Sequence, residues 1–209
     1  MGKEYTMPDG SIAHHNPEYI KQISHLGKKI NKYFSITSVL GAVEHKSWKA
    51  NYDAIRLAAG YPYPSYLLHE SCNWSEYHQQ WFFLPRRASK EPYDEVLDEN
   101  RCGNILIRSD DKFNDITVTT VGELNRSRGY SAFRFIPNTK DKFIIATKTE
   151  EDPNTKRMKS YITGILSYYI AYFYDRLISN MYSVFHVDGK IVLNDQLIGE
   201  NKYEGIEFL

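Results

Sequence analysis

Three side chains near the middle of the chain are of types that handle charged ligands. Glu70 interrupts the apolar run Tyr66, Leu67, Leu68, and Arg86 with Arg87 closes the run Trp81, Phe82, Phe83, Leu84. A carboxylate offers the hard oxygens that Ca²⁺ takes, and a guanidinium fork matches phosphate geometry. The plainer reading of the same residues is an ordinary Glu–Arg surface pair, which contributes little. Farther along, Glu150 and Glu151 also have two readings: they orient a basic partner or a water, or they are a solvated loop pair.

The elements that must position these residues are legible in outline. Residues 65–89 put two aromatic-rich runs on either side of a polar turn at 73–76, which reads as a β-hairpin. Neighbouring side chains on an extended strand face opposite ways, so Arg87 is expected to turn away from Arg86 and serve structure. Upstream lies a short extended run at 19–23. Trp48, Tyr52, Ile55, Leu57 and Ala58 then predict a short helix, ended by Gly60, Pro62 and Pro64.

Downstream, a mostly charged stretch over 90–101 is expected to be an exposed loop. Short β runs follow at 104–107, 116–121, 131–136, 143–147, 161–163 and 191–194, separated by Pro137-Asn138, Asp152-Pro153 and Asp188-Gly189. Short antiparallel strands at this spacing predict an all-β sandwich, barrel or propeller. Residues 164–183 break the pattern. Asp175, Arg176 and Asn180 make that segment too polar for a bilayer span, and an amphipathic helix inserted in a hairpin is expected there, with a membrane anchor the minor alternative.

Composition narrows the function classes. The formal net charge is zero and 25% of residues are charged, so the chain has no polybasic character for nucleic acid and no acidic tail. Seventeen tyrosines, ten phenylalanines and three tryptophans favour β structure. Cys72 and Cys102 make neither a disulfide framework nor a zinc pattern; a single bridge and two free thiols both stay open, and free thiols are the expectation. The first residues, MGKEYTMPDGS, lack the apolar core of a secretory signal. Asn73-Trp-Ser and Asn125-Arg-Ser are glycosylation sequons, relevant only to a form that enters the secretory route.

Five separated motifs, in order, go beyond these generic readings: HES at His69–Ser71, WFFLPRRAS at Trp81–Ser89, FRFIPNT at Phe133–Thr139, TEED at Thr149–Asp152 and KYEGIEFL at Lys202–Leu209. On them the chain resembles the calcium-activated soluble apyrase (nucleotidase) family. The similarity runs over residues 2–209 except 28–41 and 164–183, which read as insertions into an otherwise continuous partial apyrase-type domain, 1–209. The resemblance implies an all-β, five-bladed β-propeller, of which this chain would cover about three blades. It also implies Ca²⁺-dependent hydrolysis of nucleoside di- and triphosphates such as UDP and GDP, with ADP and ATP as further substrates, by metal-assisted attack of water.

By the same resemblance Glu70, Ser131 and Glu204 are calcium ligands, Ser131 through its hydroxyl or its backbone carbonyl, and Arg86 binds the substrate phosphates. A plain strand serine is the alternative at Ser131. The spacing fits a repeat: Glu70 and Ser131 lie about sixty residues apart, and Ser131 and Glu204 about fifty once 164–183 is set aside. The water-activating residue is not assigned. No nucleic-acid partner and no membrane span are expected. The family implies the endoplasmic reticulum, Golgi or secretion, and its full-length form allows a homodimer. The alternative function is an inactive shortened form acting at most as a binding module.

Overall fold

Strand-forming residues dominate the computed structural model, which describes residues 19–20, 46–94, 97–152, 154–166, 170–174, 182–186, 189–203 and 205–208. The chain divides into two compact units, Met1–Ala54 and Ile55–Leu209. In the first, β1 (Tyr19–Ile20) pairs antiparallel with β2 (Lys46–Ser47). The expected helix is α1 (Lys49–Ala58), with Trp48, Tyr52 and Ile55 buried at helical spacing. The Gly60 and Pro62 that end it are where the sequence puts them.

The second unit is built from two four-stranded antiparallel sheets. The first takes its strands in chain order: β3 (Tyr66–Ser75), β4 (Gln80–Ser89), β5 (Ile105–Ser109) and β6 (Ile116–Thr120). The second contains β7 (Arg128–Phe135), β8 (Phe143–Glu151) and β9 (Met158–Leu166). Two further strands, β10 (Ile170–Tyr174) and β11 (Tyr182–His186), make a separate hairpin before β12 (Lys190–Gly199) returns to pair with β9. The all-β expectation is met. Where three four-stranded units are expected, the described residues form two.

One core serves both sheets. Phe82 and Leu84 of β4, Leu106 of β5 and Val121 meet Tyr130 and Phe133 of β7, Ile144 and Ala146 of β8, and Ile165 of β9. Edge-to-face rings tie it together, Phe82 to Phe135 at 5.0 Å and Phe133 to Phe135 at 5.8 Å between centroids. Strand β4 lies between β3 and β5, and every residue from Phe82 to Ser89 is buried. That is why its sequence reads as a continuous apolar run with two arginines at the end.

Several sequence expectations need correction. The hairpin turn falls at 76–79, not 73–76, because Asn73 and Trp74 still pair with Phe82 and Trp81. Ser75 Oγ then accepts the amide of His78, and Gln79 takes a left-handed φ of 53°. No helix forms among the described residues of 164–183. Gly164–Leu166 extend β9, and the aromatic-rich runs IAYFY and YSVFH make β10 and β11 instead. The stretch over 90–101 is not simply exposed, because Asp98 is fully buried in a 3-10 turn at Leu97–Asn100, paired to Arg101 at 2.7 Å. Residues 28–41 lie outside the described residues. Among the described residues no helix is long and apolar enough to cross a membrane.

Candidate functional site

The β3–β4 ladder is regular at both ends and irregular in the middle. Leu68 faces Arg87, His69 faces Pro85, and Ser71 faces Leu84, so the register passes over Arg86 on one strand and Glu70 on the other. A residue left out of a ladder is re-aimed by the bulge that displaces it. Here the two displaced residues meet: Arg86 Nη1 donates to Glu70 Oε2 at 3.0 Å. The second terminal nitrogen, Nη2, donates to Oε1 of Glu151 at 2.6 Å, which reaches across from β8 in the other sheet. Lys202 Nζ lies 3.2 Å from the same Glu151 oxygen.

Arg86 is therefore a buried cation between two carboxylates. Its side chain is 2% exposed, whereas those of Glu70 and Glu151 are 20% and 26% exposed. Burial by itself would raise the Glu151 carboxyl pKa, but the Arg86 guanidinium and then the Lys202 ammonium outweigh it and hold the group below the usual carboxylate range. The Glu–Arg pair of the plainer sequence reading is present, but it is not a surface pair.

The neighbours in sequence split as strand geometry requires. Arg87 pairs at 2.6 Å with Glu99 on the 3-10 turn, away from Arg86 and its partners. Glu150 receives Arg128 Nε at 3.1 Å and the hydroxyl of Tyr161 at 3.2 Å, while Glu151 receives Arg86. Glu150 and Glu151 thus end a strand and are not a solvated loop pair.

Close approach of β7 makes room for this arrangement. At Gly129 a Cβ would sit 2.5 Å from Arg86 Cγ, 2.8 Å from the Arg86 carbonyl oxygen and 2.9 Å from Cys102 Sγ. Sequence reasoning gave Gly129 and Lys202 no role. A glycine inside a strand pattern is the one signal that could have pointed to the close approach.

Ser131 repeats the irregularity in the second sheet. The β7–β8 register shifts between Tyr130 and Ala132 and passes over Ser131, which is buried. Its hydroxyl donates to the carbonyl of Tyr203 at 2.9 Å. It lies 3.0 Å from Thr147 Oγ1 and accepts from Thr149 Oγ1 at 3.3 Å. The hydroxyl thus donates to Tyr203 and has the hydroxyls of Thr147 and Thr149 as further hydrogen-bonding neighbours. Glu70 and Ser131 accordingly occupy bulges in the first strand of each sheet, and β3 is linked to β7 by Asn73, whose Nδ2 donates to Phe133 O at 2.8 Å. Glu204 lies outside the described residues.

The donor set fits calcium in kind. Carboxylate, hydroxyl and carbonyl oxygens are what Ca²⁺ prefers, but it takes six to eight of them. Among the described residues no three His, Cys, Asp or Glu side chains converge as a metal site.

Comparison with known proteins identifies the lineage. The family model for apyrase matches residues 1–169. The chain belongs to the apyrase family. Over all 209 residues it is 40% identical to soluble calcium-activated nucleotidase 1 of Rattus norvegicus, covering 43% of that protein. It is 39% identical to apyrase apy-1 of Caenorhabditis elegans and 33% identical to the apyrase of Cimex lectularius, covering 49% and 48% of them. This apyrase-family chain thus spans somewhat under half the length of those curated relatives.

Proposed function

We propose that this chain carries part of the active site of a calcium-dependent hydrolase of nucleoside di- and triphosphates, releasing inorganic phosphate by attack of water. The observation that carries the reading is the repeated placement of Glu70 and Ser131. Each sits at a register skip in the first strand of its sheet, in a chain that matches a calcium-activated nucleotidase from end to end. In this reading each four-stranded sheet is one blade of a β-propeller, whose first strands bring their bulged residues toward a common axis.

Glu70, Ser131 and Glu204 would hold the ion. Because the Ser131 hydroxyl is already bonded to Tyr203 and flanked by Thr147 and Thr149, its backbone carbonyl is the better donor. When bound, Ca²⁺ supplies polarisation of the phosphoryl oxygens and orientation of water. Arg86 supplies positive charge where a substrate phosphate would bind, and a phosphate reaching it competes with the carboxylates of Glu70 and Glu151. Glu151 and Lys202 keep that guanidinium in place. Nucleoside diphosphates such as UDP and GDP are the first substrates to try, with ADP and the triphosphates next.

The test is phosphate release from UDP, GDP and ADP by the purified chain, with Ca²⁺ and with chelator, beside Glu70→Ala. Release that requires Ca²⁺ and falls at least tenfold in the variant is expected. Release indifferent to chelator, or a Glu70→Ala variant as active as the parent, rejects the reading for these residues; no release from soluble folded chain would assign the activity to a form longer than these residues.

A further inference from the structure

We propose that the folded chain carries an N-glycan on Asn125 and none on Asn73, which heads the other sequon of the chain. The inference is independent of the nucleotidase reading. A sequon states only that Asn and Ser stand two apart, and what folds around each pair decides whether a glycan can be carried.

At Asn73 both ends of the sequon are built into the fold. Nδ2, the atom that would carry the sugar, donates to the carbonyl of Phe133 at 2.8 Å, and Oδ1 accepts from Arg134 Nη1 at 2.9 Å. Those two bonds tie β3 to β7. Ser75, the hydroxyl residue of this sequon, is fully buried and donates to Asp141 at 2.7 Å. A sugar on Nδ2 takes one of its two hydrogens and sets a bulky group beside the bond to Phe133 that ties β3 to β7. In the fold the glycan and this tie compete.

Asn125 is the opposite case. It lies between β6 and β7 in an exposed stretch, flanked by exposed Leu124 and Arg126. Its Oδ1 accepts from the backbone amide of Ser127 at 3.1 Å and from the Ser127 hydroxyl at 2.9 Å. The amide and the hydroxyl of this sequon are therefore already side by side in an exposed stretch. A glycan there extends into solvent and displaces nothing.

The chemistry needs one co-reactant, an oligosaccharide linked to a lipid pyrophosphate, as secretory membranes supply. The Asn125 Nδ2–C1 bond forms as the C1–O bond to the pyrophosphate breaks. The lipid pyrophosphate leaves with that electron pair, and one amide proton passes to base. No oxidation is involved.

The test is translation of the full 209-residue chain, led by a cleavable secretory signal, with microsomes, scoring only chain that added protease cannot reach. One mobility step is expected, removed by peptide N-glycosidase, lost in Asn125→Gln and in Ser127→Ala, and kept in Asn73→Gln. No step in the protected chain overturns the proposal, as does a step kept in Asn125→Gln and lost in Asn73→Gln. If a doubly modified species forms, detergent extraction separates the outcomes. Confinement of that species to the aggregated pellet supports the proposal, and its presence in the soluble fraction overturns it.

Discussion

Glu70 and Arg86 are the two residues that the β3–β4 register leaves without a partner opposite, and they are bonded to each other at 3.0 Å. The irregularity and the ion pair are one feature. A regular ladder would keep both side chains in strict alternation, and the double skip turns a strand carboxylate and a strand guanidinium toward each other.

Removing the cation should therefore cost far more than losing a surface pair. Arg86→Ala leaves the carboxylates of Glu70 and Glu151 facing a site that held a nearly fully buried positive charge. Breaking such a pair from one side typically costs ~3–5 kcal/mol, against under ~1 kcal/mol for an exposed pair. Denaturant unfolding of Arg86→Ala should show a loss of about 3 kcal/mol. A midpoint within experimental error of the parent would mean that the three charges do not stabilise one another.

How far this was legible in the sequence depends on which link is asked about. The hairpin, helix α1 and the β runs followed from periodicity, because alternation and aromatic content act locally. That Arg86 and Arg87 take different partners was expected from strand alternation, although the register skip at Arg86, which also re-aims its side chain, was not. Nor was Glu151 expected as the second partner of Arg86, since it comes from 65 residues away and depends on how two sheets pack. Register skips leave no mark in composition, so Glu70 stood out only as a carboxylate in an apolar run, and Ser131 only through the family motifs and a spacing that fits a repeat. Among the described residues of 164–183 strands stand where a helix was expected, because aromatic content favours strands.

Acid should expose the Glu151 contribution. Its folded carboxyl pKa is held low, with Arg86 and Lys202 outweighing the burial that would raise it. A carboxylate depressed in the fold contributes stability that is complete above its unfolded value of about 4.3 and is lost as pH falls through its folded value. The stability difference between the parent chain and Glu151→Gln should be constant above about pH 5 and shrink below about pH 4. Unfolding midpoints of both across pH 3–7 check this. A difference that persists unchanged at pH 3 would show that packing, not charge, sets the effect.

Cys102 should be chemically quiet in the folded chain. Burial pushes its thiol pKa up to about 11, even though Arg86 and then Arg87 pull it down. At pH 8 roughly one molecule in a thousand then carries the reactive thiolate, and the sulfur is buried as well. Iodoacetamide should leave Cys102 unmodified in native chain and label it fully in urea, as read by peptide mass. Labelling at comparable rates in both states would place the thiol in a more open setting.

Gly129 is the position where the smallest change should do the most harm. A methyl group added there meets Arg86 Cγ, Cys102 Sγ and the Arg86 carbonyl oxygen, all within 3 Å. The two side chains could yield. The carbonyl oxygen could not, because it belongs to a buried central strand and also accepts the amide of Gly103 at 3.2 Å. Strand β7 would have to move off β4, and with it the seat of Arg86. Gly129→Ala should thus lose about 2–3 kcal/mol, within the range for overpacking a close-packed interior. Adding Cys102→Ala relieves only the sulfur contact, so the double variant should recover less than half of the loss in a denaturant titration. Full recovery would mean that the sulfur alone sets the constraint, and that the backbone approach holding Arg86 has slack to give.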